Sequence, residues 1–226
     1  MPVCAVDGDR SREEGAFITF EGIEGSGKSS QMAMLGEFLR GKGLRVEATR
    51  EPGGTRIAEA IRNILLSPQY REMAELTELF LYEACRAQHV QEFMRPLLEA
   101  GAILLCDRFS DSTLAYQGYG RGMDRDLVDC LNDVATGGLR PDLTILLDCP
   151  VEVGLRRSWE RLQREGNAKA ESRLEEEEVA FHERVRAGFL AIAREDPDRV
   201  KKVDGTARPE AVQEEIRKIV VAHMRL

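Results

Sequence analysis

The chain has 226 residues and a formal net charge of -8, and 42% of its residues are hydrophobic and 32% charged. This composition indicates a globular domain and argues against a disordered or membrane-embedded chain, because no apolar run approaches the ~20 residues that a spanning helix needs. The negative charge repels a polyphosphate backbone, so extended nucleic-acid binding is disfavoured, although local basic groups can still hold small anions.

The first residues and the cysteines indicate where the protein acts. Residues 1–15 have neither a basic region nor a long apolar stretch, so we expect a frayed tail rather than a secretory signal. The remaining residues, 16–226, have the length of a single domain. The five scattered cysteines are Cys4, Cys85, Cys106, Cys130 and Cys149. Without a C-x-x-C pair they predict reduced thiols in a cytoplasmic protein, and neither a disulfide framework nor a zinc site.

Short apolar runs alternate with longer helical patterns along the chain, as in βαβ units around a parallel sheet. The predicted strands are Phe17–Glu21, Leu44–Thr49, Ala102–Asp107, Leu143–Asp148 and Val200–Val203. Helices are predicted over Gly27–Arg40, which two glycines follow, and over Thr55–Leu66, which Ser67-Pro68 ends. The expected fold is an α/β three-layer, doubly wound parallel sheet that binds its ligands at the carboxyl ends of the strands.

Residues 156–178 depart from this alternation. They are packed with charge and almost lack apolar periodicity. A solvated helical hairpin explains such a segment. The alternative is a lid that closes over phosphates, and we keep both interpretations.

A phosphate-binding motif follows the first predicted strand directly. Residues 22–29 read GIEGSGKS and match G-x-x-x-x-G-K-S/T. The glycines let the backbone wrap a phosphate, and the next helix directs its N–H groups and positive dipole end at the anion. The predicted ATP-binding residues are Gly22, Glu24, Gly25, Ser26, Gly27, Lys28, Ser29 and Ser30. Lys28 would reach the β- and γ-phosphates, and the Ser29 hydroxyl would bind Mg²⁺. A turn that only connects elements is the alternative.

The phosphate motif does not by itself distinguish a kinase from a GTPase or a motor ATPase. An Asn-Lys-x-Asp segment, which a GTPase would use to read guanine, is missing from the sequence. Two predicted strands end in carboxylates, Asp107 and Asp148, and either could orient the metal. We favour Asp107, because Arg108 follows it at once and pairs a metal-side carboxylate with an anion-binding guanidinium.

Five segments together are more specific than the phosphate motif. They are FEGIEGSGKSSQ (20–31), TREPGGT (49–55), YEACRAQH (82–89), DRFSDSTLAYQGYGRG (107–122) and PDLTILLD (141–148). In these segments the chain resembles the thymidylate kinase family, of the bacterial type that carries its catalytic arginine in the lid. The resemblance implies a P-loop nucleoside monophosphate kinase fold, ATP as donor, thymidine monophosphate as acceptor, Mg²⁺ as cofactor and a homodimer. It implies neither a nucleic-acid nor a membrane partner.

The resemblance also implies an acceptor site made of Arg50, Tyr82, Arg86, Arg108, Thr113, Tyr116 and Gln117. Arg108 and Arg50 would clamp the acceptor phosphate, for which a guanidinium has the right bidentate geometry. Tyr82 stands where the family usually has phenylalanine and would stack on the pyrimidine. A surface cation near a turn is the alternative for Arg50, and a core aromatic is the alternative for Tyr82. Tyr116 would crowd the sugar's 2′ position and favour deoxyribose.

The resemblance assigns catalysis to Lys28, Glu24, Arg108, Arg173 and Arg161. Glu24 is unusual in a site for polyanions, and the resemblance suggests that it faces the acceptor sugar and metal-bound waters. Gly25 stands where some family members carry arginine, so a lid cation is expected to stabilise the transferring phosphoryl group.

The cations in the predicted lid are Arg157, Arg161, Arg164, Lys169 and Arg173. Arg173 and Arg161 are the best candidates, because Arg173-Leu174-Glu175 matches the family's R-x-E at the far end of the lid.

Histidines are not expected to act as bases, because the acceptor phosphate is already an anion. We expect His89 on a helix surface and assign no catalytic role to His182. Asp204-Gly205-Thr206 would pass beside adenine or form a plain turn after the last strand. Two other functions remain open from the residues: another small-molecule kinase on the same fold, and a non-catalytic nucleotide switch.

Overall fold

The computed structural model describes residues 15–165 and 173–226, with only the backbone of Glu165. The predicted tail up to Glu14, Cys4 within it, and the middle of the predicted lid with Lys169 lie outside these residues. Within the described ranges, no helix is both long and apolar enough to cross a membrane.

Five parallel strands form the centre of the fold. They are β1 (Phe17–Glu21), β2 (Val46–Arg50), β3 (Ile103–Asp107), β4 (Leu143–Asp148) and β5 (Val200–Asp204). Their order in the sheet is β2-β3-β1-β4-β5. Because β1 pairs in parallel with both β3 and β4, the carboxyl ends of these three strands lie side by side. The parallel α/β prediction is confirmed.

Helices cover both faces of the sheet. The α-helices are α1 (Lys28–Gly41), α2 (Arg56–Leu66), α3 (Glu75–His89), α4 (Arg95–Glu99), α5 (Ser110–Thr113), α6 (Arg125–Thr136), α7 (Val151–Glu165), α8 (Val179–Glu195) and α9 (Pro209–Met224). A 3₁₀ turn spans Pro68–Tyr70, and π-helical segments span Val90–Met94 and Leu114–Gly120. The charged segment begins inside α7 and ends just before α8.

The strands alternate their side chains between two apolar layers, as the pleat requires. Ile18 and Phe20 of β1 pack with the layer that includes α1 and α9, whereas Phe17 packs with Val90 and Met94 on the opposite face. All five side chains are fully buried or nearly so. Their burial fixes the register of β1 and therefore where the loop after Glu21 emerges.

The ends of several elements differ from the prediction by one or two residues. β2 begins at Val46, because the Leu44 N–H is bonded to the Leu39 carbonyl at the end of α1. α1 begins at Lys28 because Gly27, with φ 101°, lies before the helix in a left-handed conformation. Thr55 lies just before α2, where its side chain accepts a hydrogen bond from the Ala58 N–H.

Candidate active site

The loop between β1 and α1 is shaped to bind an anion. Gly22, Gly25 and Gly27 have φ of 133°, 67° and 101°, values that favour glycine and that let the loop fold around a central space. The Lys28 ammonium group donates to the carbonyls of Gly22 (3.0 Å) and Ile23 (2.8 Å). Burial, reinforced by the nearby charge of Arg108, lowers the pKa of Lys28 to about 8. A bound phosphate would restore a counter-charge to this amine.

Two oxygen groups meet beside the loop. The Ser29 hydroxyl donates to the carboxylate of Asp107, with 2.5 Å between Oγ and Oδ2. Asp148, the other candidate, is instead held in an ion pair by Arg186, with Nε 2.7 Å from Oδ1. Asp107 therefore lies beside the Ser29 hydroxyl, whereas the Asp148 carboxylate is occupied by a guanidinium.

A cavity of about 780 Å³ opens at the carboxyl ends of the strands. All the predicted ATP-binding residues except Gly22 line it, and so do all seven predicted acceptor residues. A volume of this size is typical of a small-molecule site. Gly205 and Pro209 also border the cavity, so the turn after β5 lies beside the phosphate loop.

Glu24 connects the phosphate loop to two of the predicted acceptor residues. Its Oε1 accepts hydrogen bonds from Arg108 Nη2 (3.2 Å) and from the Tyr116 hydroxyl. Burial alone would raise the pKa of Glu24, but the charges of Arg108 and Lys28 and the polar contacts of His182 and Tyr116 hold it well below its usual range. Glu24 is therefore ionised at neutral pH.

Arg108 is held from several sides. Its backbone has φ 72°, which is uncommon for a residue with a side chain. Glu21 accepts from the Phe109 N–H (2.7 Å) and from the Ser112 hydroxyl (2.6 Å), and Ser112 in turn accepts from Arg108 Nη1 (3.1 Å). The guanidinium also lies over the Tyr116 ring, 5.1 Å from its centroid. Nη1 also donates to the Gly22 carbonyl (3.0 Å), so these contacts fix a cation directly beside the phosphate loop.

The other predicted acceptor residues differ in their polar partners and in their exposure. Tyr82 and Thr113 line the cavity, as does Gln117, whose Nε2 donates to Glu78 (2.8 Å). Arg50 borders the cavity with half of its side chain exposed and pairs with Glu59 at 3.0 Å. Burial raises the pKa of the Tyr82 phenol, so this ring is neutral.

Sequence reasoning missed a buried network around Arg86. Its guanidinium donates to Glu51 (2.8 Å), to Glu83 (3.0 Å) and to Asn132 (2.7 Å). The side chain is 2% exposed, so its position is rigid. Glu83 and Arg86 are three residues apart on α3, a spacing that can bring opposite charges together.

The expectation that His89 lies on a helix surface is wrong. Its side chain is fully buried, with Nδ1 3.1 Å from Glu51 and Nε2 2.8 Å from the Thr49 hydroxyl. The imidazole therefore joins the Arg86 network to β2 and supports the segment that follows Arg50.

The structure requires a correction for the lid cations. Arg173 does not line the cavity: its side chain is 4% exposed and donates to the Leu65 carbonyl and, at 2.6 Å, to Glu78. Arg161, by contrast, lines the cavity from α7. Arg157 and Arg164 line it as well, so α7 presents three cations to the site. Apolar periodicity in the sequence could not distinguish the buried Arg173 from the cavity-lining Arg161, because it does not show which carboxylate each arginine contacts.

Gly25 and Gly154 bring α7 into close contact with the phosphate loop. A Cβ on Gly25 would lie 1.9 Å from the Gly154 carbonyl oxygen, and a Cβ on Gly154 would lie 2.4 Å from the Glu24 carbonyl oxygen. A side chain fits at neither position. The close packing of α7 therefore excludes an arginine at position 25, and the same helix carries Arg161.

Comparisons with known proteins agree with this geometry. The family model described as thymidylate kinase matches residues 20–216. The thymidylate kinase of Geobacter sulfurreducens is 54% identical over 197 residues, 87% of this chain and 92% of that protein. That of Geotalea uraniireducens is 50% identical over 210 residues, 93% of this chain and 98% of that protein.

Solved structures lead to the same family. The crystal structure of thymidylate kinase from Ehrlichia chaffeensis superposes with a TM-score of 0.72 at 35% identity, and the match covers 92% of this chain and 99% of that one. The match to the family model and the alignments with these relatives each extend over most of the chain. The chain is therefore a phosphotransferase that belongs to the thymidylate kinase family.

Proposed function

We propose that the chain transfers the γ-phosphate of ATP to thymidine monophosphate and releases thymidine diphosphate and ADP. One observation carries this proposal beyond family membership. A single cavity is lined by the glycine-rich loop with Lys28, by Arg108, whose Nη1 donates to the Gly22 carbonyl (3.0 Å), and by the ring of Tyr82. An anion cradle and a second anion clamp with an aromatic wall are the parts that transfer between two nucleotides needs.

Transfer in this site would rest on position and charge rather than on a covalent intermediate. Lys28 would neutralise the donor phosphates, and Arg108 would hold the acceptor phosphate in line with them. The ionised Glu24 would keep Arg108 and Tyr116 oriented through its Oε1. The acceptor phosphate is itself the nucleophile, so a catalytic base is not needed.

Ser29 and Asp107 are the residues that would hold Mg²⁺. Their hydroxyl and carboxylate oxygens are of the type that this ion prefers, and they lie next to the phosphate loop. Among the described residues, side chains of His, Cys, Asp and Glu form no cluster of three or more suited to a metal. This arrangement fits Mg²⁺, which takes few ligands from the protein and the rest from phosphates and water. When bound, the ion would neutralise charge on the β- and γ-phosphates.

Arg161 is the lid cation that we assign to the transferring phosphoryl group. It lines the cavity, whereas the buried Arg173 is paired with Glu78. Arg157 has another role in this proposal, because its Nη1 donates to the Gly205 carbonyl (2.9 Å) and so holds the turn after β5 beside the phosphate loop. That turn would border the adenine end of ATP.

The test of the proposed function is ADP release with Mg-ATP and a panel of acceptors. We expect rapid release with thymidine monophosphate, slower release with deoxyuridine monophosphate, and none with thymidine. A missing methyl group changes specificity by about 10–200-fold. Turnover of thymidine would indicate a nucleoside kinase. Slow ATP hydrolysis that no acceptor accelerates would indicate a nucleotide switch and would contradict the proposal.

We also propose a homodimer, on the evidence of an apolar surface formed by α2, α3 and α6. Its exposed side chains are Ile57, Ile64, Leu76, Phe80, Leu127 and Val134. Within each helix the two residues are four or seven apart and share a face. α3 packs against both α2 and α6, so the three faces adjoin. An exposed patch of this kind marks a protein interface.

Replacing Phe80 by aspartate is expected to convert the dimer into a 25.3 kDa monomer. Phe80 is 52% exposed in the middle of this surface, and a carboxylate there would be desolvated in a dimer. Light scattering after size-exclusion chromatography measures the mass. Val179→Asp is the matched control, since Val179 is equally exposed but lies on α8. An unchanged mass for the Phe80 variant, or a monomeric unmodified chain, would contradict the dimer.

We further propose that residues 16–226 form the single kinase domain and that the protein acts in the cytoplasm. The cysteines of the described residues support the second point, because Cys85, Cys106, Cys130 and Cys149 are all free thiols.

A further inference from the structure

His182 on α8 is a buried polar side chain that the mechanism above does not use. The side chain is fully buried, and neither ring nitrogen has a hydrogen-bond partner among the described residues. Buried polar groups without partners are rare and costly, so this one calls for a role.

A second unpaired atom lies opposite this ring. The Oε2 of Glu24 is buried and also lacks a hydrogen bond among the described residues. His182 Nδ1 lies 3.5 Å from it, just beyond hydrogen-bonding distance. A movement of about half an ångström would join the two atoms, and hydrogen bonds in active sites are often long before substrate binds.

The two oxygens of Glu24 have different surroundings. Oε1 holds the Arg108 guanidinium and the Tyr116 hydroxyl, and both of these residues line the cavity. Oε2 faces away from them toward His182. Rotation of the carboxylate would break both Oε1 contacts, so a group that fixes Oε2 also fixes Arg108 and Tyr116.

We propose that His182 is a positioning residue for phosphoryl transfer, which holds the Glu24 carboxylate so that Arg108 and Tyr116 stay aligned on the acceptor. This inference rests on the proposed function, because the alignment matters only if an acceptor binds there. His182 lies on α8, which packs along the π-helical segment that carries Tyr116. The same helix therefore supports Glu24 and Tyr116 from one side.

Four single variants separate positioning from mere packing. The amide nitrogen of asparagine can occupy the place of Nδ1, whereas that of glutamine reaches the place of Nε2. We expect His182→Leu and His182→Gln to lower kcat/KM for thymidine monophosphate about 10–100-fold, the usual effect of a lost hydrogen bond to a charged group. His182→Asn should stay within about threefold, and KM for ATP should change little in all three. Ile192→Ala, on the same helix, is the control for a destabilised α8.

A double-mutant cycle with Glu24→Gln tests the coupling directly. If His182 acts through Glu24, His182→Leu should add little to the loss that Glu24→Gln already causes. Losses that multiply would overturn the inference. Equal activity of the Asn and Gln variants would also overturn it, and this comparison holds even if the Leu variant does not fold. An unmodified chain that releases no ADP with thymidine monophosphate would contradict the proposed function, and the inference with it.

Discussion

Lys28→Ala should lower kcat by about 10³-fold or more while leaving the fold intact, because it removes the one side-chain cation that the phosphate loop directs at the donor phosphates. The lysine is buried, but its contacts are carbonyl oxygens of its own loop rather than core side chains. Its loss should therefore cost activity far more than stability. A coupled assay of ADP release measures the first and thermal unfolding measures the second.

Lys42→Ala provides the matched control for Lys28→Ala. Lys42 lies at the other end of α1, exposed and remote from the cavity, so its variant should keep normal turnover. A Lys28 variant with near-normal activity would exclude the phosphate-binding assignment of residues 22–29.

The lowered pKa of Lys28 adds a pH dependence to this prediction. Its pKa of about 8 lies below the ordinary value of 10.5, so the amine loses its charge as pH rises above 8. We expect kcat/KM for ATP, which reports the free enzyme, to fall over that range. The effect on stability has the opposite sign. Between pH 8 and 10.5 the unfolded chain binds more protons than the folded one, so the free energy of unfolding rises with pH as the cost of burying the charged amine disappears.

Arg161→Ala should reduce kcat by about 10³–10⁵-fold, the range found when an arginine is removed from a transferring phosphoryl group. The side chain is exposed and lines the cavity from α7, so the melting temperature should change little. Single-turnover measurements with saturating substrates would separate this loss from weaker binding. A larger effect from Arg164→Ala than from Arg161→Ala would contradict the assignment.

Arg173→Ala should give the reverse pattern. It leaves the buried Glu78 without the cation 2.6 Å away, and breaking a buried ion pair costs about 3–5 kcal/mol. Arg121 also pairs with Glu78, at 3.1 Å, and should retain part of this stability. We therefore expect a markedly lower melting temperature and, in the folded fraction, a kcat that falls far less than in Arg161→Ala. Equal losses of kcat in the two variants would contradict this distinction.

Local patterns in the sequence were sufficient to predict the sheet and the phosphate loop. Buried parallel strands need continuous apolar residues, and β1 and β4 have the predicted bounds. The loop at Gly22 follows from glycines whose positive φ the motif requires. These features depend on neighbours in the sequence, so spacing alone reveals them.

Side-chain partners distant in the sequence were not predictable in this way. His89 was expected at a surface, but residues 38 and 40 positions earlier, Glu51 and Thr49, bury and bind it. Arg173 matches a family motif, yet Glu78, 95 positions away, holds its guanidinium. Such pairings appear only when the sheet brings the helices together.

The contact between Gly25 and Gly154 limits how α7 can move relative to the phosphate loop. The two backbones touch so closely that the first turn of α7 is pinned to the loop after β1. A hinge at Val151 would have to pull these surfaces apart, so bending must begin farther along the helix than Gly154. Arg161 and Arg164 lie well beyond that point and can swing, while the phosphate loop is as stationary as the sheet.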